Sequence, residues 1–251
     1  MLGSKRVVCV IPARLKSTRF PRKVLASLLD KPLLQWVWEA ASKINLFDAV
    51  VFAIDSEETA QLIDRFGGGY HMTSEECPSG TDRLVELAQR GVLKADIWVN
   101  WQGDEPFIYE KMIQDLLQSC QTDQSDLWTL CKQITHVEDS ASPQVAKVVF
   151  DAQGYALYFS RSTIPYYRDL RDPNKQIFYK HVGLYAFTQE ALEKIGRLKP
   201  CYLEEAEQLE QLRFIYNGLR VRVHQTEGEV FGIDLPEHLI KAELFLNSAR
   251  R

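Results

Sequence analysis

The sequence predicts an α/β protein with a mainly parallel, doubly wound sheet, helices on both faces and a smaller sheet-rich part. Three observations carry that expectation. Continuous β-branched runs such as "VVCVI" suit strands covered on both faces. Strand and helix patterns alternate through the first 120 or so residues. After about Gln121 the rhythm changes, and strands follow one another with little helix between them.

Each element has its own signal. "VVCVI" is a buried strand bounded by Pro12, and "KPLLQWVWEAASKI" repeats apolar residues at helical spacing, with Pro32 where a first turn tolerates it. "AVVFAID" is a second strand. "SEETAQLIDRF" is a second helix, opened by Ser56 as N-cap with acids behind it. "GGGYHM" returns to extended chain, "TDRLVELAQRG" is helical, and "ADIWVNWQGDEP" is a strand ending in an acidic turn. Beyond Gln121, "DLWTLCKQI", "AKVVFD", "YALYFS" and "KHVGLYAF" read as strands, some antiparallel. "LEEAEQLEQLRFIYNG" reads as one strong helix closed by Gly218. "RVRVHQT" is a further strand, and "LPEHLIKAELFLNSAR" a terminal helix with Pro236 in its first turn. With no internal repeat or low-complexity linker, the expectation is a single domain over 1–251 with a sheet-rich subregion at about 126–190.

Composition narrows the function classes. At 251 residues, 45% hydrophobic and 25% charged, the chain has the make-up of a globular protein with a sizeable core. A net charge of −4 speaks against nucleic acid as partner, so the positive charge near the N-terminus is local and suits a small polyanion. Five scattered cysteines (Cys9, Cys77, Cys120, Cys131, Cys201) form no C-x-x-C pair. No stretch approaches a membrane span or a signal segment, and the expected setting is a reduced cytoplasm.

Chemistry concentrates in loops at strand ends, where parallel α/β sheets bind ligands. The segment "VVCVIPARLKSTRFPRK" leaves the first strand and carries Arg14, Lys16, Arg19, Arg22 and Lys23. Such a run is ordinarily solvated surface, but its position favours an anion site. Neither the dinucleotide fingerprint nor the P-loop is present. Asp104 in "WQGDEP" suits either a divalent metal or a Gly-Asp turn, and Asp234 in "FGIDLPEHL" suits either a metal or a helix cap. Two aspartates at strand ends beside a basic loop form a coherent set: a magnesium ion bridging carboxylates and phosphates, with Arg and Lys neutralising the rest. His71, His136, His224 and His238 lack metal-ligand spacing and read as structural or exposed. "GGG" (67–69) reads as a cap and turn, and no G-x-S-x-G elbow supports a hydrolase.

In their order, "IPARLKSTRFPRK", "MTSEECPSGTDR", "NWQGDEP", "KVVFDAQGYALYFSRSTIP", "KHVGLYAF", "LEQLR" and "GIDLPEHL" resemble the 3-deoxy-manno-octulosonate cytidylyltransferase (CMP-Kdo synthetase) family over essentially the whole chain. The first block is shared by sugar nucleotidyltransferases in general; "SGTDR", "YALYFSRSTIP" and "LEQLR" narrow it.

The resemblance implies a nucleotidyltransferase-type, Rossmann-like fold and a homodimer built through the sheet-rich part. It implies CTP and the acid sugar Kdo as substrates, CMP-Kdo and pyrophosphate as products, Mg²⁺ as cofactor, and a role in lipopolysaccharide synthesis. By the same likeness Pro12, Ala13, Arg14, Ser17, Arg19, Lys23, Ser79, Gly80, Arg83 and Asp104 bind nucleotide, and Arg19, Lys23, Asp104 and Asp234 are catalytic. Asp104 and Asp234 hold the metal, and Gln102, Arg161, His181, Tyr185, Glu210 and Gln211 hold the sugar.

Departures from the family pattern are Arg22 where the loop usually has glycine before its lysine, Pro78 before "SGT", Trp101 beside Gln102, and Leu235 and His238 where Thr and Asp are frequent. Two other enzyme readings keep the chemistry with a different acid sugar, an 8-amino-Kdo analogue or a sialic-acid-like sugar. A non-catalytic binding protein would lack one of Asp104, Asp234 or Lys23, and a glycosyltransferase would carry D-x-D where "QGDEP" stands.

Overall fold

The computed structural model describes residues 5–17, 20–168, 176–228 and 231–249. The chain divides into two compact units, residues 1–113 with 229–251, and residues 114–228.

The first unit opens with β1 (Val7–Ala13), buried along its whole length. A 3₁₀ turn at Lys23–Leu25 leads to the short antiparallel pair β2 (Ser27–Leu28) and β3 (Lys31–Pro32). Then come α1 (Leu33–Ser42), β4 (Ala49–Ile54), α2 (Glu57–Asp64), β5 (Tyr70–Met72), α3 (Gly80–Arg90) and β6 (Ile97–Asn100), and α4 (Glu110–Leu117) runs across the division after Ile113. β1 lies between β4 and β6, parallel to both, and β4 carries β5 on its far side, also parallel. The expected caps are in place: Ser56 Oγ accepts the Glu58 N–H at 3.2 Å, and Gly67 takes φ 73 beyond the end of α2.

The second unit holds β7 (Leu127–Gln133), α5 (Val137–Ala141), β8 (Lys147–Phe150), β9 (Ala156–Ser160), β10 (Tyr179–Thr188), α6 (Gln189–Ile195), α7 (Tyr202–Glu207), α8 (Gln211–Tyr216) and β11 (Val221–Gln225). β7 runs antiparallel to β10 and parallel to β11; β8 pairs antiparallel with β9 and with β10. α9 (Pro236–Ala249) then closes the first unit. Ile233 and Ala242 are buried with Leu28 and Leu33, and Phe20, Trp36, Phe107, Phe231 and Leu239 pack on this cluster. Burial of each such large side chain contributes about 1.5–3 kcal/mol, which returns the C-terminal segment to the loop after β1.

One expectation needs correcting. The segment read as a single helix from Leu203 to Gly218 is broken, because Gln208 adopts the left-handed conformation (φ 52) and separates α7 from α8. The break is held from outside: Arg161 donates Nε–H to Glu207 O at 2.7 Å and Nη2–H to Gln208 O at 3.2 Å. These carbonyls take a side chain in place of a continuing helical ladder. Gly218 closes α8 with φ 79, as its position predicts. Three helices lay unread in the sequence, α4, α5 and α6. The last has a legible start, since Thr188 Oγ1 accepts the Ala191 N–H at 3.0 Å.

Candidate active site

In the first unit the loop leaving β1 turns sharply before Lys23. The Lys23 N–H donates to Phe20 O at 3.2 Å, with Pro21 and Arg22 at the corner. A turn of this kind favours Pro followed by glycine, because its second corner residue needs positive φ. Arg22 occupies that place at φ 58, ψ 28 and pairs with Glu58. The left-handed backbone costs a non-glycine residue about 1–2 kcal/mol. The turn directs Lys23 inward, where its ammonium contacts the carboxylates of both Asp104 and Asp234, the latter at 3.1 Å.

Two features bring these aspartates, 130 positions apart in the sequence, to one ammonium. Asp104 follows β6, and its carbonyl accepts the Ile233 N–H at 2.9 Å. Ile233 is fully buried in the apolar cluster, so Asp234, one residue on, is set beside Lys23. His238 lies one turn into α9 with Nδ1 3.2 Å from the Asp234 N–H. The sequence reads His238 as structural or exposed, and the structure gives its ring a local partner, the amide four residues earlier.

Glu105 completes the electrostatics. Burial first, then Asp104 and Asp234, push its carboxyl up to about 8, and its Oε2 has no hydrogen-bond partner. Both effects favour its neutral form. Two carboxylates are the donor set magnesium accepts from protein, with phosphate oxygens and water filling the remaining positions. No group of three or more His, Cys, Asp or Glu able to hold a metal occurs among the described residues.

The other predicted nucleotide residues surround β1. Pro12 and Ala13 end the strand, Arg14 is exposed, and Ser17 is half-buried. A cavity of about 480 Å³ is lined by Arg14, Leu15, Lys16, Ser17, Pro21 and Arg22. Lys16 pairs with Glu75 at 2.7 Å on the exposed surface. Arg19 lies outside the described residues. Ser79 caps α3 in a capping box with Asp82. A Cβ at Gly80 would stand 2.9 Å from Pro12 Cγ and 3.0 Å from Gln102 Oε1, so glycine permits that close approach. Arg83 is 2 % exposed and turned inward, onto Asp55 at 2.7 Å and Thr73 at 2.6 Å. Gln102 donates to Asn100 Oδ1 at 3.0 Å.

The remaining residues expected to hold the sugar lie in the second unit. Between Val182 and Tyr185 the register of β10 against β7 shifts, setting His181 opposite Cys131 and Tyr185 opposite Thr129. Thr129, which sequence reading did not single out, fills the bulge. Its hydroxyl is 3.0 Å from Leu184 O, 3.2 Å from Val182 O and 3.0 Å from His181 Nε2. With the hydroxyl hydrogen given to a carbonyl, His181 Nε2 is the donor and Nδ1 the acceptor, a neutral tautomer. Burial agrees, pushing the imidazole down to about 3. Nδ1 lies 3.5 Å from Gln211 Nε2, and the His181 and Tyr185 rings are 5.4 Å apart. Glu210 precedes α8, its Oε1 3.4 Å from Arg213 Nη2. Arg161 gives Nε–H, one Nη1–H and one Nη2–H to the carbonyls of Glu207, Pro143 and Gln208, and its other two N–H groups have no partner among the described residues.

Known proteins add independent evidence. The family model described as "Cytidylyltransferase" matches residues 8–223. A 3-deoxy-manno-octulosonate cytidylyltransferase from Pelobacter propionicus is 44% identical over 245 residues, 94% of this chain and 95% of that protein. One from Thermodesulfovibrio yellowstonii is 44% identical over 250 residues, 96% and 98% of the two chains. Among solved structures, a CMP:2-keto-3-deoxy-manno-octonic acid synthetase complexed with CTP matches with TM-score 0.90 and 37% identity, covering 97% of this chain and 99% of that one. A 4-diphosphocytidyl-2C-methyl-D-erythritol synthase from Anaerococcus prevotii, at TM-score 0.63 and 12% identity over 98% of each chain, shares the fold.

Proposed function

This chain belongs to the cytidylyltransferase family, among the 3-deoxy-manno-octulosonate enzymes, and from that premise we propose that it transfers CMP from CTP to the anomeric hydroxyl of Kdo. The hydroxyl oxygen forms a bond to the α-phosphorus, the α–β phosphoanhydride bond breaks, and pyrophosphate leaves as the hydroxyl proton is lost. The observation that carries this reading is the pair Asp104 and Asp234 gathered round the loop lysine, Lys23.

Positioning and charge neutralisation do most of the work in such a transfer. Pro12, Ala13, Arg14 and Ser17 line the path of the triphosphate, and Lys23 draws charge from the leaving pyrophosphate. Arg19 belongs with them by its place in the loop. Ser79 and Gly80, at the start of α3, face the nucleotide. Asp104 and Asp234 would hold magnesium, which supplies a Lewis acid at the α-phosphate. Gln102, His181, Tyr185, Glu210 and Gln211 hold the sugar acid, with His181 a neutral hydrogen-bonding group. The two remaining N–H groups of Arg161 pair with the sugar carboxylate.

A homodimer and a cytoplasmic setting belong to the same reading. Leu157, Tyr166, Tyr202 and Tyr216 expose large apolar surfaces on the second unit, which supports an interface there. None of the five cysteines is disulfide-bonded, which supports a reducing compartment. Light scattering tests the first point, a dimer mass being expected. A panel of Kdo, its 8-amino analogue and a sialic acid tests the acceptor: Kdo should show the highest kcat/KM, and preference for another acid would move the assignment to that sugar.

A further inference from the structure

We propose that Asp55 is the positioning residue of the loop that follows β1, and that Arg83 acts on this loop through Asp55 and not on the nucleotide directly. The inference rests on the cytidylyl-transfer reading of that loop and names what holds it in place.

Asp55 stands directly after β4, where the parallel register sets Ile54 beside Ala13, the last residue of β1. Its carboxylate faces two ways. Oδ1 accepts the Leu15 N–H at 2.9 Å, and Oδ2 accepts from Arg83 Nη2 at 2.7 Å. The guanidinium is fixed from behind, because Arg83 Nη1 donates to Thr73 Oγ1 at 2.6 Å and to Ser74 O at 3.2 Å. Thr73 in turn donates its hydroxyl to Ile54 O at 3.0 Å. The side chains of Arg83 and Asp55 are 2 % and 5 % exposed, so the pair is dry and its geometry fixed.

Leu15 lies between Arg14 and Lys16, and both cavities beside this stretch have Leu15 in their walls. A single backbone N–H thus ties the cationic stretch to a buried ion pair. Desolvation adds a reason for the arginine: a carboxylate buried at a strand end needs a countercharge, and one taken from the loop would consume a cation meant for phosphate. Arg83 supplies that charge from α3 and leaves Arg14 exposed.

The test removes the anchor while preserving the fold. The double variant Asp55→Leu with Arg83→Met replaces the buried pair by apolar groups and leaves no charge stranded. In nucleotide-free protein, amide hydrogen exchange in the peptide spanning Leu15 is expected to speed up about tenfold or more. KM for CTP should rise about tenfold, while kcat at saturating CTP and KM for the acid sugar stay within about twofold. A pair serving only the core would lower Tm and leave both loop exchange and KM for CTP unchanged, and that result overturns the proposal. Should the double variant fail to fold, an ester in place of the Leu15 amide deletes the donated N–H with the ion pair intact. The same rise in KM for CTP is expected there, and an unchanged value overturns the proposal. The exchange measurement involves no nucleotide: a loosened loop in a protein whose wild type turns over no CTP supports the anchor and removes the transfer reading instead.

Discussion

The ammonium of Lys23 lies between the carboxylates of Asp104 and Asp234, joining the loop after β1 to residues far along the chain. Two carboxylates gathered at one point repel, and a cation between them relieves the repulsion. On the proposed metal assignment, lysine and a divalent metal compete for the same pair. Lys23→Met should bind Mn²⁺ several-fold more tightly in the absence of nucleotide, read by electron paramagnetic resonance, yet turn over at least about 100-fold more slowly. Weaker or unchanged Mn²⁺ binding would show that the lysine does not stand in the metal's place.

Asp104→Asn and Asp234→Asn keep shape and remove charge. Each is expected to cut turnover by orders of magnitude while far-UV circular dichroism stays native, because both side chains sit at strand or helix ends and outside the apolar core. Near-normal rates in both variants would defeat the metal assignment.

Arg22 separates backbone strain from charge. Glycine and alanine at this position both lose the exposed pair with Glu58, a pair worth about 0–1 kcal/mol, but only glycine accepts φ 58 without cost. Arg22→Gly should therefore be more stable than Arg22→Ala by about 1 kcal/mol in urea unfolding, with turnover retained. Equal stability of the two would mean that the turn is not left-handed in solution.

His181 gives the second unit an acid-sensitive point. Its folded value, about 3, lies below the ordinary 6.5, so the unfolded chain takes up the proton first as pH falls. The neutral ring's contribution is fully present above pH 6.5 and is lost progressively from there down towards pH 3. His224, pushed down to about 4 chiefly by burial, adds to the same trend. Between pH 6.5 and 4 the stability of His181→Gln should fall less steeply than that of wild type, measured by urea titration at each pH. Parallel slopes would exclude the imidazole as the cause.

Strands, caps and turns are legible in the sequence because their causes are local. The β-branched run of β1, the Ser56 cap and the positive φ of Gly67 and Gly218 all follow from residues within a turn of the feature. Relationships set by distant partners are not legible this way. The break at Gln208 depends on Arg161, 47 positions away, and local helical periodicity runs straight through it. Arg83 sits in a block that matches nucleotide-binding positions, but its partner Asp55 is 28 positions earlier in an unremarkable strand end. The pairing of Asp104 with Asp234 emerged from the order of motifs, while the lysine between them required the fold.

Pyrophosphate release is the most direct test of CMP transfer to Kdo. Purified protein with CTP, Mg²⁺ and Kdo in its β-anomeric form should release one pyrophosphate per CMP-Kdo formed, and omission of Kdo or of Mg²⁺ should abolish the release. No turnover with β-Kdo, or pyrophosphate release independent of the sugar, would contradict it.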